Sequence, residues 1–201
     1  MLKQIAEHSF FDDKFGSEII VIDIGACRGE FINEMDKAYK MRKGILVEAN
    51  PVLYKQLLNK ENYVVYNNAV AKDDDTIITF YEDHKAAYVG SCVFNYFNGI
   101  PHKIKSISLE TLIISNDIDV VDILKIDVEG SEYEILENIS EDVLQKINQI
   151  TVEFHDFIDP KLKPYTKNII NRMEASGYKS ISKSTEYMNG SEHYDVLFYK
   201  P

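Results

Sequence analysis

The sequence predicts an α/β fold: a mostly parallel sheet, helices on both faces, and a last strand that runs antiparallel. Three observations predict it. Short, almost wholly apolar runs such as Ile19-Ile20-Val21-Ile22-Asp23-Ile24 are too short for globular helices and read as strands buried on both faces. Stretches of helical period separate these runs, which is the alternation of βα units. The last two strand candidates are instead joined by polar residues without helical period, as in a hairpin.

Each element follows in order. After the strand Ile19–Ile24, Phe31, Met35 and Ala38 fall on one helical face, and Gly44 is expected to stop that helix before the strand Ile45–Val47. Pro51 opens a short helix carrying Leu53, Leu57 and Leu58, and Tyr63–Tyr66 is the next strand. Strand candidates at Thr76–Tyr81 and around Ser106–Leu109 break the alternation and bracket a long segment, 82–105, expected to be a variable substrate loop. The alternation resumes with a strand Val120–Ile126 and a helix Ser131–Ile139, where Ser131 and Glu134 are spaced as a capping box. Ile150–Phe154 is a strand, Pro164–Ser176 a helix ended by Gly177, and Tyr178–Ile181 and Tyr194–Tyr199 are the closing strands.

A chain of 201 residues supports one full core, so 1–201 is read as a single domain with 1–17 as an N-terminal extension. Its 45% hydrophobic and 27% charged residues are ordinary globular usage, which excludes disorder. No apolar run approaches the ~20 residues that span a bilayer, and the first residues lack the order of a signal peptide, so no membrane partner is expected. Cys27 and Cys92 are too few for a disulfide framework, and a cytoplasmic location is the simplest expectation. The net charge of -11, with Lys161, Lys163 and Lys167 spread around Pro164 rather than forming a patch, argues against nucleic acid and for a small-molecule acceptor.

The strand ends carry the chemistry, because ligands of open α/β sheets sit beyond the carboxyl ends of the strands. After the first strand stands Asp23-Ile24-Gly25-Ala26-Cys27-Arg28-Gly29-Glu30, a glycine turn feeding a helix N-terminus. Glu48 follows the second strand, about 20 residues on, where an acid accepts the ribose hydroxyls of an adenosine. A pyrophosphate cofactor needs G-x-G-x-x-G; here Cys27 and Glu30 stand at the second and third glycine places, and Glu30 would repel phosphate. S-adenosylmethionine carries no phosphate and a positive sulfonium, which suits Asp23 and this turn better than NAD.

Four motifs in order, Asp23-Ile24-Gly25-Ala26-Cys27-Arg28-Gly29, Val47-Glu48-Ala49-Asn50-Pro51, Asn67-Asn68-Ala69-Val70-Ala71 and Leu124-Lys125-Ile126-Asp127-Val128-Glu129-Gly130-Ser131-Glu132, resemble the FkbM methyltransferase family; Val152-Glu153-Phe154-His155 extends the likeness. The resemblance implies a Rossmann-like class I methyltransferase fold with a seven-stranded sheet, and O-methylation of sugar or polyketide-type hydroxyls. It also implies that Asp23, Gly25 and Glu48 hold the cofactor, with Ala26 and Gly29 in the same turn and Asn68 and Ala69 near the adenine. Cys27 departs from the Asn or other polar residue more usual there.

A hydroxyl acceptor holds its proton about as tightly as water, pKa roughly 15.7, so a base is expected. Asp127, Glu129 and His155 stand at strand ends facing the cofactor mouth. His155, neutral at its ordinary pKa, is the expected base; Asp127 is expected to orient the acceptor or the cofactor amine. Glu129 either joins them or only favours the following helix N-terminus. Carboxylates with a histidine are also donors for Mg²⁺, which is not favoured, and no metal ligand is assigned. Ser91, Asn95 and His102 of the variable loop are the candidates for acceptor contact. A second subunit is an alternative source of such contacts, so a homo-oligomer stays open. The rival functions are an NAD-linked oxidoreductase and a non-catalytic S-adenosylmethionine-binding module.

Overall fold

The computed structural model describes residues 1–83, 90–95, 98–186 and 192–201, side chains included except at 184–186 and 192–194. The chain opens with a hairpin, β1 (Leu2–Ile5) and β2 (His8–Phe11). The main sheet is built from β3 (Ile19–Ile24), β4 (Met41–Val47), β5 (Tyr63–Tyr66), β10 (Ile123–Ile126), β11 (Gln149–Phe154), β12 (Lys179–Glu186) and β13 (Glu192–Tyr199). Their order is β12-β13-β11-β10-β3-β4-β5, and β13 is antiparallel to both neighbours while the other pairs are parallel. The order reverses at β3, which opens the crevice where α/β sheets bind ligands.

Alternation along the strands sorts the core into two layers. Ile20, Ile22, Ile24, Leu124, Ile126, Val152 and Phe154 face one layer, with α3 (Leu109–Ser115), α4 (Glu132–Asn138), α5 (Glu141–Lys146) and α6 (Lys163–Ala175). Val21, Leu46 and Ile123 face the other, with Phe31, Ile32 and Met35 of α1 (Glu30–Ala38), Leu57 of α2 (Pro51–Leu57) and Phe10 of the hairpin. Toward the strand ends this second face turns polar. Asp23, Lys125 and Thr151 are register partners on β3, β10 and β11, and so make one polar row across the sheet. The hairpin lies over it.

A smaller sheet joins β6 (Ala69–Val70), β9 (Ile100–Ile107), β7 (Ile77–Glu82) and β8 (Gly90–Ser91) in that order. Several expectations change here. The strand expected around Ser106–Leu109 is the end of the longer β9, and Leu109 begins α3, capped by Ser108 Oγ, which accepts from the Thr111 N–H at 3.1 Å. Much of the segment 82–105 is therefore sheet rather than loop; its residues 84–89 and 96–97 lie outside the described range. Gly44 lies within β4 instead of ending α1, at a place where a Cβ would meet the Tyr63 ring at 2.6 Å and only glycine fits. α1 ends at Ala38, which is exposed. Ser131 has helical φ and ψ and its side chain makes no cap bond, so the capping box does not form.

Candidate active site

A cavity of about 820 Å³ opens at the carboxyl ends of β3, β4, β10 and β11, within the ~300–1,000 Å³ usual for small-ligand sites. The turn after β3 forms one wall. Gly25 has φ +74°, and a Cβ there would sit 1.7 Å from the Asp127 carbonyl oxygen, so only glycine fits. Gly29, φ +77°, caps α1. Glu48 lies where β4 ends, 6% exposed, with Oε2 accepting the Cys27 N–H and Oε1 the Asn50 N–H, both at 2.7 Å. Burial pushes its pKa up to about 7. Asn50 in turn caps α2, accepting from Val52 N–H at 2.8 Å, with Pro51 at the first helical position.

Beneath the turn, Lys125 Nζ lies 3.1 Å from Asp23 Oδ1 and 3.6 Å from Asp127 Oδ2, and donates to the Gly25 carbonyl at 2.6 Å. Burial opposes its charge, but the two carboxylates hold it protonated. Asp23 is fully buried and spends its charge on this lysine, so it supports the turn from behind instead of lining the cavity.

The other end of the cavity is acidic. Asp127 carries a histidine beside each carboxylate oxygen: His155 Nε2 is 4.0 Å from Oδ1 and His8 Nε2 is 4.0 Å from Oδ2. Against its burial, Lys125 chiefly holds Asp127 below the ordinary carboxylate range. Burial and Asp127 raise Glu153 to about 8, and burial raises Glu129. His155 differs from its expectation. Burial disfavours its charge, yet the hydrogen bond to Glu132 (Nδ1 to Oε1, 3.2 Å), with Glu129 at 3.4 Å from Nε2 and Asp127, raises its pKa to about 10. That direction favours the imidazolium and runs against the expectation of a neutral ring at His155. Asp127, Glu153 and His155 also bring potential ligand atoms within 4.8 Å of one another.

Gly25, Ala26, Glu48, Asn68, Ala69, Asp127, Glu129 and His155 all line this one cavity. The three acceptor candidates do not. Ser91 is buried, its hydroxyl donating to the Glu129 carbonyl at 2.6 Å; Asn95 Oδ1 accepts the Gly99 N–H; His102 pairs with Glu82 at 2.8 Å. Ser91 thus fixes the backbone that carries Glu129, which has φ +52°. Glu132, His8 and Glu153 escaped sequence reasoning as site residues. Glu153 was legible, since Thr151, Glu153 and His155 alternate onto one face. Nothing in the sequence marks His8, which reaches the cavity through a separate hairpin.

The sequence pattern of the methyltransferase FkbM domain matches residues 23–180. The chain belongs to the FkbM methyltransferase family. It is 40% identical over 58 residues to the hexuronic acid methyltransferase AglP of Haloferax volcanii, a match covering 29% of this chain and 24% of that protein. The fold resembles methyltransferase FkbM from Methylobacillus flagellatus, with a TM-score of 0.62 and 14% identity, over 92% of this chain and 44% of that one. It also resembles M. capricolum TrmK in complex with S-adenosylhomocysteine, with a TM-score of 0.52 and 13% identity, over 92% of this chain and 64% of that one. These likenesses make the fold that of a class I methyltransferase. The matched part is less than half of AglP and of the M. flagellatus protein. Among the described residues no helix is long and apolar enough to cross a membrane.

Proposed function

We propose that this protein is an S-adenosylmethionine-dependent O-methyltransferase acting on a hydroxyl of a sugar or related small metabolite. The observation that carries the reading is Glu48: a buried carboxylate, fixed by two backbone N–H groups, that lines the cavity at the end of β4. Each oxygen keeps a second lone pair for a ribose hydroxyl. The cavity fits this cofactor better than a dinucleotide. Glu30 lines it where a pyrophosphate would lie, and the nearby Lys125 is already engaged by Asp23, Asp127 and the Gly25 carbonyl. Gly25 and Ala26 would lie against the amino acid portion, Gly29 supporting their turn from outside the cavity, and Asn68 and Ala69 would flank the base.

Bound S-adenosylmethionine supplies an electrophilic methyl group. The chain's own residues then have to hold a hydroxyl and remove its proton. Asp127, kept ionised and facing the cavity, takes that proton. Its low pKa suffices because the hydroxyl proton becomes strongly acidic as the oxygen acquires its new bond. The His155 imidazolium and Glu129 orient the carboxylate and the acceptor. The similarity to a hexuronic acid methyltransferase supports a sugar acceptor, and the net charge of -11 supports a small molecule over nucleic acid. Calorimetric titration with S-adenosylhomocysteine and, separately, with NAD tests the reading. Saturable binding of the first alone is expected. Binding of NAD alone would overturn it in favour of an oxidoreductase, and binding without methylation of any hydroxylated acceptor would favour a non-catalytic module.

A further inference from the structure

We infer that His8 is an acceptor-binding residue, holding the hydroxyl oxygen between its Nε2 and Asp127 Oδ2, and that the N-terminal hairpin exists at this place to deliver it. The inference rests on the methyltransferase reading and adds a residue outside the 23–180 segment that matches the family pattern.

The spacing carries it. His8 Nε2 and Asp127 Oδ2 are 4.0 Å apart, too far for a direct hydrogen bond. A single oxygen at about 2.8 Å from each bridges that gap with ordinary geometry. Both His8 and Asp127 line the cavity, and so does Ala6 from the hairpin tip. The ring is 4% exposed, packed edge-on against Phe31 with centroids 5.5 Å apart, and its Nδ1 lies 3.4 Å from Thr151 Oγ1. With the Thr151 hydroxyl donating to Nδ1, the proton sits on Nε2, the tautomer that the facing Asp127 carboxylate favours. His8 then donates to the acceptor oxygen while Asp127 accepts from it. Burial first, and Lys125 second, push the His8 pKa down to about 3, consistent with a neutral ring.

The hairpin is built to hold this side chain in place. Ile5 and His8 are register partners across a two-residue turn, and both turn residues, Ala6 (φ 44°) and Glu7 (φ 69°), have positive φ. That is the backbone of a type I′ turn, where Asn-Gly is usual and Ala-Glu is strained. Such strain persists only where the surroundings over-determine it, and it concentrates at working sites. The surroundings here do so. Phe10 is fully buried against Phe15 and Tyr39, and the Gln149 side chain exchanges two hydrogen bonds with the Phe11 backbone, at 2.7 and 3.0 Å.

The test is a crystal structure of the S-adenosylmethionine complex grown with glycerol as a hydroxyl probe, for wild type, His8→Phe and His8→Gln. In wild type an oxygen, from glycerol or water, is expected within hydrogen-bond distance of both His8 Nε2 and Asp127 Oδ2. It should lie about 3–3.5 Å from the methyl carbon. His8→Phe should lose that oxygen while binding S-adenosylhomocysteine within about threefold of wild type by calorimetry, a tenfold change being 1.4 kcal/mol. His8→Gln, which keeps a donor near the Nε2 position, should retain it. Cofactor bound with the same oxygen still held in His8→Phe, or with the methyl group pointing away from this gap, would sink the inference alone. A cavity that takes up no cofactor would sink the methyltransfer reading and this inference with it.

Discussion

At the scale of single residues, the site runs on carboxylates whose neighbours decide their state. Glu48 is held by the Cys27 and Asn50 N–H groups. Glu48→Ala removes the ribose acceptor and should weaken S-adenosylhomocysteine binding at least tenfold, about 1.4 kcal/mol; calorimetric affinity within twofold of wild type would remove the assignment. The histidines should show themselves in pH dependence, with opposite signs. His155 titrates in the folded state at about 10 against an ordinary 6.5, so its stabilising contribution is complete below about pH 6.5 and is lost as pH rises through 10. Glu153, raised from 4.5 to about 8, acts in the same direction, its contribution fading as pH rises from 4.5 through 8. His8, lowered from 6.5 to about 3, loses stability as pH falls across that window. Thermal melts should therefore show a smaller loss between pH 7 and 10 in His155→Gln, and a smaller loss between pH 6.5 and 3 in His8→Phe. Equal slopes in variant and wild type would mean that those rings are not held in the protonation states described.

At the scale of elements, helix starts separate what a sequence can and cannot say. Ser108 and Ser131 both precede helices, although the sequence marks only Ser131 as a cap and places Ser108 in a strand candidate. Ser108 is extended (φ -80°, ψ 153°) and bonds the Thr111 N–H; Ser131 is helical (φ -85°, ψ -6°) and bonds nothing as a cap. Ser108→Ala should cost about 1 kcal/mol of unfolding free energy and Ser131→Ala, which removes no cap bond, less, measured by denaturant titration; equal costs would contradict the cap assignment. Residue type gives the candidate cap, but the backbone angles that realise it are set by packing. The same limit explains β9. Its exposed-side residues Pro101, Lys103 and Lys105 read as loop, and only the pairing with β7 makes them strand. Strands buried on both faces, such as β3, need no partner to be recognised, because all six of their residues are buried.

At the scale of the whole molecule, the βα alternation and the antiparallel last strand were legible, because hydrophobic period encodes both. Strand order was not, and it is the order that sets Lys125 between Asp23 and Thr151 and brings His8 over Asp127. Hence the glycine turn, Glu48, Asp127 and His155 could be found from strand ends, while the protonation of His155 and the hairpin's part in the cavity could not. The charge balance has a further consequence. With 33 acidic against 22 basic side chains, the surface repels itself, and that repulsion destabilises the compact state. Exposed pairs such as Lys37–Glu34 and Lys105–Asp75 offset little of it. The Asp23–Lys125 pair lies inside, where salt screens weakly. Raising ionic strength from about 0.01 to 0.1 M shortens the screening length from about 30 to 10 Å, weakening the surface repulsion more than the buried pair. The melting temperature should therefore rise by about 2–4 °C for each kcal/mol relieved. A fall over that range of salt would mean that the ion pairs outweigh the excess of carboxylates, and that the surface is not under net electrostatic strain.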